Sequence, residues 1–113
     1  MNLTDMSSKN RLHEINIPEI QKFTYFPLKL YLLKVPLLTQ NKIYELVEQK
    51  NLDELVEIIK MLIIFDNKGR LEKLSSSAIG NEMLSKLTDT NIILNVIYKI
   101  LKANSSVEGV YAQ

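Results

Sequence analysis

Apolar positions recur with a helical period through most of the second half of the chain. The pattern predicts a helix over residues 40–50, with Thr39 as its N-cap. A second helix is predicted over residues 52–65, because Asn51 followed by Glu54 is a capping pair. The last turn of this second helix is apolar on every side, so we expect it to be buried all round.

Two more helices are predicted further along the chain, over about residues 78–87 and about residues 90–103. A serine run precedes the first of them and offers an N-cap, and Thr88 or Asp89 caps the second. Asn104 suits a C-cap at the end of the last helix. That helix carries one polar stripe, formed by Asn91, Asn95, Lys99 and Lys102.

The N-terminal third has a different pattern, in which short apolar runs are interrupted by prolines. Residues 13–25 are predicted to be extended, with a short edge strand before Pro18, because proline cannot donate to a central strand. Residues 23–35 fit either a strand or a buried helix, and we favour the strand. That strand would place Leu28, Leu30 and Leu32 on one face and Tyr31, Leu33 and Val35 on the other.

These elements predict a mainly α (α+β) fold. Short N-terminal strands or an extended segment would precede a bundle of about four helices. The 113 residues suffice for one domain with its own core. We place that domain at residues 13–104, between a loose N-terminal segment at residues 1–12 and a loose C-terminal tail at residues 105–113.

Composition restricts the chemistry that this chain offers. It has no cysteine and one histidine, which excludes a disulfide framework and a zinc–thiolate site. A net charge of +1 argues against strong binding to nucleic acid or to a membrane surface. The chain has no apolar run near the ~20 residues of a membrane helix.

The stretch IIFDNKGRL is the strongest candidate for a chemical site, because an apolar run stops there at Asp66 and Gly69. A calcium loop that starts at Asp66 would need an oxygen ligand at its third position and glutamate at its twelfth. Those positions hold Lys68 and Ser77. We therefore expect a structural turn, in which Gly69 supplies a positive φ and Asp66 bonds the nearby backbone.

Other polar clusters fit solvated surfaces better than catalytic sites. The acidic residues of the two predicted helices at residues 40–65 are interleaved with lysines, as on an exposed face. They are Glu45, Glu48, Asp53, Glu54 and Glu57. The serine run lacks a neighbouring base, and His13 has no second histidine or cysteine to share a metal. We expect no enzyme, no cofactor and no metal site.

The layout of residues 39–105 resembles the tail assembly chaperones of long-tailed bacteriophages. The matching features are Leu38 and Thr39 at a helix entry, the helix at residues 52–65, Asp66 with Gly69 in an Asp-x-x-Gly turn, and residues 101–104 at the end of the last helix. The resemblance implies a non-enzymatic protein that binds the tape-measure protein and helps to recruit tail-tube subunits. It implies the host cytoplasm during virion assembly as the location, with no nucleic-acid or membrane partner.

Two other functions remain open at this point. The chain would fit a structural virion component, such as a baseplate or connector subunit. Residues 78–103 also have the lengths of a helix-turn-helix, which would make the chain a small DNA-binding regulator. If the chain is a chaperone or a structural virion component, the face of residues 23–35 that carries Tyr31, Leu33 and Val35 is the expected contact with a partner or with a second copy.

Overall fold

A computed structural model describes residues 12–24 and 28–112, with side chains as far as residue 105. In this part of the chain, four strands form one antiparallel sheet in the order β1-β2-β3-β4. The strands are β1 (Leu12–Ile15), β2 (Leu30–Leu33), β3 (Ile63–Asn67) and β4 (Arg70–Lys73). The helices are α1 (Pro18–Gln21), α2 (Leu37–Gln49), α3 (Leu52–Leu62), α4 (Ala78–Ser85) and α5 (Thr90–Ala112), with one 3-10 turn at Leu74–Ser76.

The predicted fold class is wrong in its arrangement. The strands do not precede a helical bundle. Strands β1 and β2 come before helices α2 and α3, and strands β3 and β4 come after them. All four strands join into one antiparallel sheet of an α+β fold, with five helices in the described part of the chain. The predicted loose segment at residues 1–12 lies outside the described residues apart from Leu12, and the predicted tail is helical as far as Ala112.

Strands β3 and β4 were not predicted, and β3 takes residues that were assigned to the end of a helix. Helix α3 ends at Leu62, and the next residue is already in extended conformation with φ −97° and ψ 130°. Ile63, Ile64 and Phe65 have no exposed surface. An apolar run that is buried on every side fits a central strand as well as a helix end, and two β-branched isoleucines favour the strand.

A two-residue turn joins β3 to β4. Lys68 and Gly69 have φ values of 56° and 86°, and Asn67 pairs with Arg70 across the turn. Two positive φ values in sequence define a type I′ hairpin, whose twist matches that of the strands. The backbone N–H of Gly69 donates to the Asp66 carboxylate at 2.7 Å. Asp66 and Gly69 therefore lie in a structural turn between two strands, not at the end of a helix.

Residues 23–35 contain strand β2, as the favoured interpretation predicted for their middle part. The strand lies inside the sheet, hydrogen-bonded to β1 and to β3. Residues 25–27 are outside the described part of the chain. The short edge strand predicted before Pro18 is confirmed, because β1 lies at the edge of the sheet. Pro18 itself occupies the first turn of α1, where its missing N–H costs nothing, so residues 18–21 are helical and not extended as predicted.

One face of the sheet forms the core together with the helices. Its central residues pair across the strands as Ile15 with Leu30 and Leu30 with Phe65. Helices α2, α3, α4 and α5 pack over this face with their buried aliphatic side chains. Three predicted caps are present. Asn51 accepts a hydrogen bond from the N–H of Glu54, Ser77 accepts from the N–H groups of Ile79 and Gly80, and Asp89 accepts from two N–H groups at the start of α5. Helix α2 begins at Leu37 after Pro36, two residues before the predicted cap.

Asn104 has a different role from the predicted C-cap. It lies inside α5 and is 1% exposed. Its Oδ1 accepts a hydrogen bond of 2.8 Å from the backbone N–H of Val35. Val35 follows β2 and is itself fully buried. A buried N–H without a partner is costly, so this amide fixes the end of β2 against the last helix.

Replacing Asn104 by alanine should lower the free energy of unfolding by about 1–3 kcal/mol, because the buried N–H of Val35 loses its acceptor. Urea denaturation followed by circular dichroism measures the loss. Asn91→Ala is the matched control: it makes the same change at an exposed position of α5 and should stay within about 0.5 kcal/mol. Equal losses in the two variants would contradict the role given to Asn104.

Candidate partner-binding face

The sheet has a second face, opposite the core, which also carries apolar residues. Successive side chains of a strand point to opposite faces, and paired residues share a face. A row on this second face crosses all four strands: Glu14 pairs with Tyr31, Tyr31 with Ile64, and Ile64 with Lys73. Tyr31 and Ile64 are thus the central pair of the row. Glu14 places a negative charge at one end and Lys73 a positive charge at the other.

Three more apolar residues extend this row into a strip. Leu12 pairs with Leu33 at one end of the sheet, and Leu71 pairs with Asp66 at the other. We call the apolar residues Leu12, Tyr31, Leu33, Ile64 and Leu71 the second face. The strip is bordered by charged side chains, as in protein interfaces that combine an apolar centre with a polar rim.

The second face is separate from the hydrophobic core. Ile64 and Leu71 are the buried apolar residues of the described chain that lie outside the core cluster. Tyr31, Leu33 and Leu12 are half-buried and are likewise outside it. An antiparallel sheet with one solvated face normally alternates apolar and polar residues. Here apolar residues occupy the centre of both faces.

The structure brings together two of the three predicted contact residues. Tyr31 and Leu33 lie on the second face, whereas Val35 lies beyond the end of β2 with its side chain in the core. Including Val35 was an error, because the alternation of a strand was extended past the strand itself. Leu12, Ile64 and Leu71 were not predicted, although the alternation in residues 70–73 gives a signal for Leu71.

A polar cluster formed by Glu19, Asn95 and Lys99 joins α1 to α5. Lys99 Nζ lies 2.8 Å from Glu19 Oε1, and Asn95 Nδ2 donates to the same carboxylate. Burial of the Glu19 carboxyl opposes its ionisation, but the hydrogen bonds and positive charge of Lys99, with Asn95 and a backbone N–H, outweigh that effect. The pKa of Glu19 is therefore lowered. Asn95 and Lys99, two residues of the predicted polar stripe, thus hold helix α1 against α5.

Two other features are absent from the described residues. No group of three or more histidine, aspartate or glutamate side chains there is placed to hold a metal ion. Nor does that part of the chain contain a helix with the length and apolar content that a membrane crossing requires. Comparison with protein-family models, curated proteins and solved structures gives no match.

Proposed function

We propose that this chain is a non-enzymatic protein-binding domain, and that it binds its partner through the second face of the sheet. The observation that carries the proposal is that Tyr31 and Leu33 lie on that face outside the core and keep part of their apolar surface exposed, beside the buried Ile64. Tyrosine is enriched at protein interfaces because it offers a large apolar ring and a polar end.

The specific role that we propose is tail assembly chaperone of a long-tailed bacteriophage. Its support is the resemblance of residues 39–105 to that family. The partner would be the tape-measure protein, with the tail-tube protein as the subunit that is recruited. The arrangement of strands differs from the one that the resemblance implied, because the Asp-x-x-Gly turn joins two strands of the sheet. Support for this specific role comes from the resemblance, whereas support for protein binding comes from the second face.

The double variant Tyr31→Ser/Leu33→Lys tests the binding face. It should stay folded by circular dichroism and lose co-purification with the tape-measure protein encoded in the same genome, because the central apolar contact is replaced by a hydroxyl and a charge. The matched control is Tyr98→Ser/Leu38→Lys, which makes the same two changes at exposed positions on α5 and α2. The control should retain binding.

Several results would contradict the proposal. Loss of binding in the control, with retention in the Tyr31/Leu33 variant, would move the interface to the helices. Unfolding of the Tyr31/Leu33 variant would show that these side chains belong to the interior. For the specific role, purified virions should lack the protein. Its presence there in stoichiometric amount would identify a structural virion component instead.

The DNA-binding alternative is weakened by the Glu19 cluster. A recognition helix has to present its polar side chains to base edges in the major groove. In α5, Asn95 and Lys99 instead bond to Glu19 from α1. Salt-dependent binding to duplex DNA would support that alternative over ours.

A further inference from the structure

Strand β4 forms one edge of the sheet. It pairs with β3 on one side, and no described strand pairs with it on the other. Hydrogen-bonding direction alternates along an antiparallel strand, and in β3 the N–H of Asp66 donates towards β2. Arg70, beside the two-residue turn, and Glu72 therefore bond to β3. The backbone N–H and C=O groups of Leu71 and Lys73 point away from the sheet.

The outward backbone groups of β4 are not used by a turn or loop in the described part of the chain. No backbone hydrogen bond other than those of the sheet reaches Leu71 or Lys73 there. Such an edge is a template for pairing with another strand, and proteins usually protect it with short strands and charged side chains. The charges of β4 therefore decide which strand the edge accepts.

Two opposite charges lie on the same side of β4, two positions apart. Arg70 is exposed and Glu72 is half-buried. Neither side chain forms an ion pair with the residues that the structure describes. Glu72 Oε2 accepts a hydrogen bond of 3.0 Å from Asn67 Nδ2, which leaves Oε1 for a second donor. The edge thus presents one cation and one anion that a neighbouring strand is able to neutralise.

The order of these charges selects one register for a second copy of the same strand. Two antiparallel copies are related by a two-fold axis perpendicular to the sheet, so paired residues share a face. Two registers pair three residues of one β4 with three of the other. One of them places Glu72 opposite Glu72 of the second copy, and like charges directly opposite destabilise a strand pair. The other places Leu71 opposite its own copy and Arg70 opposite Glu72 on both sides of the axis.

We propose that β4 pairs with β4 of a second copy in this charge-matched register. Leu71 exchanges two backbone hydrogen bonds with its copy at the axis. The two Arg70–Glu72 pairs occupy the non-hydrogen-bonded positions beside it, where opposing side chains are closest. Lys73 lies beside Gly69 of the second copy, which has no side chain to oppose it. The two four-stranded sheets become one, with both second faces on the same side.

This contact is small and does not rest on the proposed function. Three paired residues in each strand bury far less than the about 1,200–2,000 Å² of stable complexes, so the dimer is weak. It uses the edge of the sheet, whereas the proposed partner site is the second face. A long partner that binds both second faces at once would raise the effective concentration of the two copies and strengthen the pairing.

Charge exchange tests the register. Sedimentation equilibrium of the unmodified protein should show a dimer below about 1 mM. Arg70→Glu should raise its dissociation constant about tenfold, because two ion pairs become two like-charge pairs. Arg70→Glu/Glu72→Arg exchanges the two charges and should restore the affinity. The matched control, Lys42→Glu, reverses an exposed charge on α2 and should leave the dimer unchanged.

A second pair of variants tests the backbone contact. Lys73 has φ −69°, a value that proline adopts, and its N–H points out of the sheet. Lys73→Pro should therefore keep the fold by circular dichroism and lose the dimer, because the proline ring lies where the second strand would pair. Lys73→Ala removes the same charge but keeps the N–H, and should retain the dimer.

Several outcomes would overturn the proposal. One is a monomer at every concentration up to about 1 mM. Another is a charge exchange that fails to restore the affinity, which decides against the register even if the proline variant does not fold. Loss of the dimer in Tyr31→Ser/Leu33→Lys, with its retention in Arg70→Glu, would assign the contact between copies to the second face. Absence of the dimer leaves the co-purification test of the second face unaffected.

Discussion

Phe65→Ala should lower the free energy of unfolding by about 3–5 kcal/mol, the range found for buried aromatic side chains cut back to alanine. Phe65 is fully buried in β3, where it pairs with Leu30 of β2 and Glu72 of β4. It lies on the core face, so its removal leaves a cavity between the sheet and the helices. Urea denaturation followed by circular dichroism measures the loss.

Phe23→Ala is the control for this experiment. Phe23 is half-buried and packs at the border of the core, with the ammonium groups of Lys22 and Lys86 within 5.3 and 5.8 Å of the ring centre. The same substitution there opens a smaller cavity and should cost less. A loss for Phe65 no larger than that for Phe23 would show that β3 does not hold the centre of the core.

Gly80→Ala should destabilise the protein by about 3 kcal/mol, at the upper end of the range for overpacking. A Cβ atom at Gly80 would lie 2.4 Å from the carbonyl oxygen and 2.7 Å from the Cα of Leu74. Both atoms belong to the backbone of the 3-10 turn and cannot move aside as a side chain can. Helix propensity alone predicts that alanine inside α4 raises the stability by about 1 kcal/mol. A loss of stability would therefore show that the steric contact with Leu74 outweighs helix propensity.

Gly69→Ala separates this steric effect from backbone strain. Gly69 has φ 86°, but a Cβ atom there would meet nothing within 4 Å. Its substitution should cost only about 1 kcal/mol, from the left-handed conformation. If Gly80→Ala is instead neutral or stabilising in urea denaturation, the close approach of α4 to the 3-10 turn is not present in solution.

Local signals in the sequence predict the ends of several elements correctly. Asn51 with Glu54, Ser77 and Asp89 all cap the helices that follow them, because a side-chain acceptor beside free N–H groups is a short-range effect. The alternation in β2 also places Leu30 and Leu32 in the core and Tyr31 and Leu33 on the opposite face. These interactions depend on residues a few positions apart.

The remaining features depend on partners far away in the sequence. Ile63 to Phe65 form a strand because β2, more than 30 positions earlier, pairs with them. Asn104 lies inside its helix, and its side chain accepts the N–H of Val35, 69 positions earlier in the chain. No periodicity or cap signal reports such contacts, so the sheet order and the place of Ile64 beside Tyr31 were not predictable from spacing.

The last helix joins the first half of the sheet in a way that affects synthesis. Helix α5 packs on β1 and β2, and Lys99 meets Glu19, 80 positions earlier in the chain. A ribosome adds about 5–20 residues per second, so about 4–16 s pass between the two residues. Until the end of that interval the nascent chain holds β1 and β2 without the cover that α5 supplies. Cellular holdases have their longest opportunity to bind it at these N-terminal strands.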